Sequence, residues 1–273
     1  MSGTGMVSVS SAAAVFDRLA SVYDEKFTRS TIGRAQRNQV WHRLMLAFQP
    51  GDRILEMNCG TGEDAFFLAR NGISVVACEA SPEMIVIAQQ RKNQEVNAAK
   101  IQFRVLASES LHTLETSQPF DGAFSNFSGL NCVADLEPVA SNLATLVKPG
   151  GRVLLCLSSR FCLAEVLWFL ARGQVRKAFR RLRGRTLARF EDLVIVVFYP
   201  TVRRIRHIFA PWFHMESFRA VGLLTPPSYL ESWACRHNDV VKFMTRVDGI
   251  LAGWPLLRCL GDHVLLEFQR NAR

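Results

Sequence analysis

The sequence predicts an α/β protein built on a doubly wound parallel sheet, and three observations carry that expectation. Short apolar runs alternate with amphipathic segments through the first 159 residues, the pattern of successive βα units. The run at 54–57 closes on Asn58-Cys59-Gly60-Thr61-Gly62, a glycine turn where a strand would hand over to a helix. The next apolar run ends on a carboxylate, Glu79, at the kind of strand end where ligands sit in such sheets.

The elements follow in order. Val15, Phe16, Leu19 and Val22 recur at helical spacing, so about 11–47 reads as helical. DRILEM (52–57) reads as a buried strand, and Glu63 to Arg70 as the helix after it. ISVVACE (73–79) is a second strand. The helix after it opens with Ser81 as N-cap, Pro82 at the first position and Glu83 in the first turn. IQFRVL (101–106), FDGAFS (120–125) and GGRVLLCL (150–157) supply three more strands, with a helix at 134–147.

Beyond residue 159 the alternation stops. A helix over about 162–183, a strand LVIVVFY (193–199) and a short helix (201–210) come first. A strand-like FHMESFRAVGL, the turn TPPS (225–228), a helix near 236–252 and a last strand HVLLEF (263–268) follow. The chain therefore divides into opening helices and a ligand-binding core (1–159), an inserted substrate lid (160–212) and a completion of the sheet (213–273).

Composition narrows the class. The chain has 273 residues, 49% of them apolar, enough for a substantial core, and no apolar run reaches the roughly 20 residues of a bilayer span. The opening MSGTGMVSVSSAAAVFDR lacks the basic start of a secretory leader. Seven scattered cysteines without a CxxC pair suit reduced, mostly buried thiols in a cytoplasmic protein, and they predict no metal site. The net charge of +9 is local: residues 160–206 hold 12 basic and 3 acidic side chains, against 14 and 15 over 1–159 and 7 and 6 over 207–273. In that segment Leu163, Val166, Leu167, Leu170, Ala178 and Leu182 fall on one helical face and Arg172, Arg176, Arg180 and Arg183 on the other. Such a face over 162–189 fits an anionic membrane surface; a solvated basic face is the plain alternative.

The glycine turn raises the question of its ligand. A dinucleotide site would repeat glycine three residues after Gly62, where Ala65 stands, and Glu56 would repel a pyrophosphate. A P-loop is excluded, because no Lys-Ser/Thr pair follows the glycines. A cationic ligand suits the acidic rim better. Glu79, 17 residues after Gly62, can accept both hydroxyls of a ribose, a feature that dinucleotide and S-adenosylmethionine sites share.

Four stretches in register, ILEMNCGTGE, VVACEASPEMI, FDGAFSNF and LVKPGGRVLL, resemble the class I S-adenosylmethionine-dependent methyltransferases. The resemblance covers about 11–159 and includes the last strand near 263–268; VFDRLASVYDEKF with IGRAQRNQVW is similar to the opening helices of ubiquinone and menaquinone C-methyltransferases. It implies a Rossmann-like seven-stranded methyltransferase sheet and S-adenosyl-L-methionine as cofactor. It also implies that Glu56 anchors the loop, that the backbone of Cys59, Gly60 and Gly62 lies against the methionine and ribose, and that Glu79 takes the ribose hydroxyls. Ala80 and Met84 would cover the adenine, Ser108 and Glu109 border its edge, Asn126 and Phe127 the sulfonium, and Tyr23 close the pocket. Two positions depart from the pattern: Asn58, where glycine is frequent, and Ala107, where Asp or Asn commonly meets the adenine amino group.

Any general base lies in the half that the motifs do not cover. His207 and His214 are the candidates, with Tyr199 and Tyr229 behind them; Asp262 and His263 are adjacent, which on a strand points side chains apart. The reading that results is methyl transfer to a small lipophilic acceptor of quinone, polyketide or isoprenoid kind. A nucleic-acid methyltransferase using the basic 172–189 cluster is disfavoured, because Ser125-Asn126-Phe127-Ser128 replaces the Asn/Asp-Pro-Pro-aromatic run of amino-directed enzymes. A non-catalytic cofactor-binding scaffold is the third reading.

Overall fold

The computed structural model describes residues 10–95 and 97–272; the stretch 1–9, which opens the segment read above for a leader, lies outside them. In chain order the strands are β1 (Arg53–Met57), β2 (Ser74–Glu79), β3 (Ile101–Val105), β4 (Phe120–Ser125), β5 (Val147–Ser158), β6 (Arg185–Phe190), β7 (Leu193–Phe198), β8 (Phe213–Val221) and β9 (His263–Arg270). Seven of them form one sheet in the order β3-β2-β1-β4-β5-β9-β8. β1 to β5 are parallel, whereas β9 runs antiparallel between β5 and β8.

The helices are α1 (Ala12–Tyr23), α2 (Thr31–Ala47), α3 (Glu63–Arg70), α4 (Pro82–Lys92), α5 (Glu137–Leu146), α6 (Leu163–Leu170), α7 (Val175–Ala178), α8 (Val202–Phe209), α9 (Glu231–Arg236) and α10 (Asn238–Leu251). Two cores flank the sheet. Leu55, Met57, Val139, Leu143, Phe209 and Phe268 pack on one face, under α5 and α8. Val40, Leu44, Phe48, Phe66, Leu68 and Ile85 pack on the other, under α2, α3 and α4. Covering both faces explains why the central strands read as unbroken apolar runs. The strand order reverses between β1 and β4, so their carboxyl ends open a crevice at the switch point.

Three expectations need correction. The helical region 11–47 is split by a π-helical turn at Asp24–Thr28, and Ser30 caps the new helix by accepting from Gly33 N. The cause is tertiary: Asp24 accepts from Thr61 Oγ1 (2.5 Å) and pairs with Arg91, which pins the end of α1 over the glycine turn. The helix expected over 162–183 breaks at Gly173, whose φ is +67°, and re-forms only as short turns. There Arg180 and Arg181 both turn to the buried Glu165, so the predicted arginine stripe does not exist as one face. Finally, LVIVVF stands outside the main sheet, as β7 of a hairpin with β6 that the sequence reading missed.

Candidate active site

The chain crosses the switch point as a tight turn. Gly60 and Gly62 have φ of +54° and +83°, the left-handed region that L side chains resist. A Cβ on Gly62 would sit 2.7 Å from Phe103 Cζ, so this glycine lets α3 close on the sheet, whereas Gly60 faces the cleft under the Tyr23 ring. Asn58 is also left-handed (φ 57°), and its Oδ1 accepts from Ser108 Oγ (3.2 Å) and Ser125 Oγ (3.0 Å). It therefore ties the ends of β1 and β4 to the turn after β3, and it lines the cleft.

Glu79 closes β2 with a buried carboxylate that accepts from Gly60 N (3.0 Å) and Ser81 N (3.1 Å). Burial pushes its carboxyl above the ordinary range, against those backbone donors. Each oxygen keeps a further lone pair for a ligand hydroxyl. α1 is docked on the rim by Asp17, which accepts from Ser81 Oγ (2.6 Å) and Glu83 N (3.2 Å). At its other end Tyr23 hangs over Gly60, with burial pushing its phenol up to about 12.

Asp64, in the first turn of α3, holds the wall behind. It pairs with Arg37 (2.6 Å) and accepts from Trp41 Nε1 (2.6 Å) and Asn126 Nδ2 (3.0 Å). After β4 the backbone is left-handed at Phe127 (φ 42°) and Ser128 (φ 68°). For a bulky aromatic this is a genuine outlier, worth about 1–3 kcal/mol of strain, and it turns the Phe127 ring into the crevice.

Two cavities meet there. The first, with about 600 Å³ of empty space counting its mouth, lies over the glycine turn, Glu79, Ala80 and Met84. Among the sequence-predicted residues it brings together Tyr23, Gly60, Glu79, Ala80, Met84, Ser108, Glu109, Asn126 and Phe127. Cys59 and Gly62 lie in the turn without lining it, and Glu56 is buried beneath. The sequence reading missed Ala12, Phe16, Gly129, Cys132 and Val133, apolar or small residues whose only signal is the fold that collects them. Asn58, a departure in the sequence that a left-handed turn tolerates, is left-handed here and also lines the cleft.

The second cavity, about 950 Å³ with its mouth, shares Phe16, Tyr23 and Phe127 with the first. Leu19, Phe27, Ile32 and Phe190 give it apolar walls, and Gln36, Arg37, Arg181, Asp262 and His263 a polar end. Arg181 is the strut of that end. Its guanidinium donates to Glu165 Oε2 (2.6 Å), Asp262 Oδ1 (2.8 Å) and the Asp262 carbonyl (3.0 Å). Asp262 and His263 do not point apart: the carboxylate precedes the strand proper, and Oδ2 lies 3.6 Å from His263 Nδ1. The imidazole is largely covered, its Nδ1 is buried without a hydrogen-bond partner, and the ring packs edge-on to Phe127 at 5.4 Å. Burial pushes it below the ordinary histidine value, with Asp262 opposing and Arg181 adding to the effect.

The base candidates read from sequence lie elsewhere. α8 buries Ile205 and Phe209, which turns His207 to solvent; on β8 Phe213 is buried, and the alternation exposes His214. Tyr199 is buried but lines a separate cavity with Arg160 and Arg204, and Tyr229 packs on Trp168 and Phe169. Neither tyrosine lines the paired cavities.

The first cavity fits S-adenosylmethionine. Glu56 Oε2 is buried without a partner, and burial, then Asp64, push that carboxyl well up; an orphaned acidic oxygen beneath the turn suits a ligand that brings ammonium donors. Ala107 supplies no side-chain acceptor, and Ser108 is committed to Asn58.

Comparison with known proteins agrees. Residues 54–151 match the family described as "Methyltransferase domain". The demethylmenaquinone methyltransferase of Thermobifida fusca (strain YX) is 29% identical over 147 residues, 53% of this chain and 59% of that protein. The 2-phytyl-1,4-naphtoquinone methyltransferase of Synechococcus elongatus is likewise 29% identical, over 52% of this chain and 60% of its own length. The match thus spans about three fifths of these relatives. Among solved structures the DhpI–SAH complex superposes with a TM-score of 0.58 at 15% identity, covering 96% of each chain, a likeness of fold.

Proposed function

From the methyltransferase domain that this chain carries, of the class I S-adenosylmethionine-dependent kind, we propose that the protein methylates a small lipophilic acceptor with an ionisable aromatic group, of quinol type. One observation carries the reading: the cleft over the glycine turn and Glu79 joins, at Tyr23 and Phe127, a second cavity with apolar walls and a buried polar end. The quinone substrates named for the relatives support the acceptor class.

S-adenosylmethionine, when bound, supplies a methyl group already activated on a sulfonium. The chain has to hold the acceptor in line, keep water out and take a proton. Glu79, Gly60 and Glu56 are the groups that would hold the cofactor. Tyr23 and Phe127 stand between the cavities, where they orient both ligands and exclude water. The segment 160–212, through Arg181 and Phe190, acts as the lid over the acceptor. His263 is the base of this proposal: burial keeps it neutral at neutral pH, so it can accept a hydroxyl proton. Arg37, at the same end, favours the resulting oxyanion.

The test is calorimetric titration with S-adenosylmethionine and S-adenosylhomocysteine, followed by turnover on detergent-dispersed demethylated quinols. Glu79→Ala should weaken binding tenfold or more, since charge-assisted hydrogen bonds contribute about 1.5–3 kcal/mol each. No binding by the wild type overturns the cofactor assignment, unchanged binding in the variant overturns the role of Glu79, and cofactor binding without turnover on any quinol overturns the acceptor.

A further inference from the structure

We infer that α10 and the chain just after it form a docking surface for an anionic phospholipid bilayer, an inference that rests on the lipophilic acceptor proposed above for its purpose. Four large apolar side chains are more than half exposed here: Phe243, Ile250, Trp254 and Leu256 at 65%, 71%, 56% and 88%. Phe243 and Ile250 are two turns apart and share one stripe of α10. The opposite stripe, Val241 and Asp248, is buried.

The helix cannot roll to hide its crest. Asp248 accepts from Leu224 N (2.7 Å), Thr225 N (3.1 Å), Thr225 Oγ1 (2.9 Å) and Gln39 Nε2 (3.3 Å). Val241 packs with Ile32 and Ala234. Both fix the face that α10 turns outward.

Charge selects the occupant. Between α10 and α2 runs a polar groove lined by Arg29, Arg34, Lys242 and Arg246. Among the described residues only Lys242 of these four meets a carboxylate, Asp239 at 3.1 Å. An apolar crest flanked by four cations, three of them without a carboxylate partner among the described residues, matches a bilayer of acyl chains under anionic headgroups. A second copy of the chain fits poorly, because a two-fold contact through this face brings the cation cluster toward its own copy.

The position suits the reaction. Arg34 and Asn38 of α2 line the groove, while Gly33, Gln36 and Arg37 of the same helix line the acceptor cavity. One helix therefore separates the docked lipid from the site. This is a different surface from the 162–189 stripe expected from sequence, whose helix breaks at Gly173 and whose Arg180 is turned inward to Glu165.

Flotation of the full chain with phosphatidylcholine vesicles, with and without phosphatidylglycerol, tests this. The wild type should float only with the anionic vesicles. Phe243→Ser with Ile250→Ser and Trp254→Ser, or Lys242→Glu with Arg246→Glu, should cut the bound fraction on the order of tenfold or more, with S-adenosylhomocysteine binding unchanged as the measure of folding. Arg172→Glu with Arg176→Glu should float as the wild type does. The inference is overturned by a wild type that stays behind or floats equally on both compositions, by variants that still float, or by loss confined to the 172/176 variant. Retention on RNA without vesicle binding also overturns it, in favour of a nucleic-acid partner. Quinol turnover in detergent without flotation would sink this surface alone; flotation without turnover would sink the acceptor alone.

Discussion

Arg181 offers the sharpest check on how the polar end of the second cavity is held together. The perturbation is Arg181→Met, which keeps the bulk of the stem and removes the charge. In the wild type the guanidinium lies between two buried carboxylates, Glu165 (1% exposed) and Asp262 (7%), and donates to both, as well as to the Ser159 and Asp262 carbonyls. Removing one partner of a buried ion cluster costs about 3–5 kcal/mol, because the remaining charges stay desolvated. At about 2–4 °C of melting temperature per kcal/mol for a chain of this size, the shift is roughly 10 °C.

The acid limb gives an independent reading of the same network. Burial works to raise the Asp262 carboxyl, yet His263 and Arg181 hold it down to about 2. A depressed carboxylate contributes stability that is fully present above its unfolded value, about 3.9, and is lost as pH falls through the folded value. Arg181→Met should therefore flatten the loss between about pH 4 and pH 2. Thermal melts and urea titrations of the wild type, Arg181→Met, and Arg181→Met with Glu165→Gln and Asp262→Asn would measure both effects. The neutralised triple variant should recover much of the loss, since no buried charge is then left unpaired. A single variant that loses less than about 1 kcal/mol, with no gain from neutralisation, would refute the reasoning.

Two further expectations concern the catalytic face and the turn beneath it. His263→Ala should lower kcat on an acceptor by about 10²–10⁴-fold with cofactor binding intact, and the wild-type rate should rise with pH with its midpoint below the usual histidine value, because burial depresses the imidazole; an alanine variant with the wild-type rate and pH profile would remove His263 as the base. Gly62→Ala should cost about 1–3 kcal/mol in a denaturant titration, since it places a side chain at φ +83° and drives a Cβ to 2.7 Å from the Phe103 ring; an undiminished midpoint would show that the turn relaxes freely.

The sequence by itself determined the parallel half of the sheet, the glycine turn and the carboxylate at the end of β2, because each is written in local pattern. Strand runs between helical spacing, Ser81-Pro82 at a helix start and Glu79 closing an apolar run need no knowledge of distant contacts. Most of the cofactor cleft follows from that, since the sheet topology alone delivers those strand ends to one place. What the tertiary structure decided is long-range polar pairing. Asp24 breaks the first helix by meeting Thr61 and Arg91, and Glu165 bends the 162–183 segment by drawing in Arg180 and Arg181. No periodicity encodes which arginine will face a buried carboxylate, so the stripe drawn on a helical wheel loses Arg180 to Glu165, and its neighbour Arg181 becomes a strut between Glu165 and Asp262. The same reason hid His263: its neighbour Asp262 lies before the strand, and only the folded chain turns both toward the second cavity.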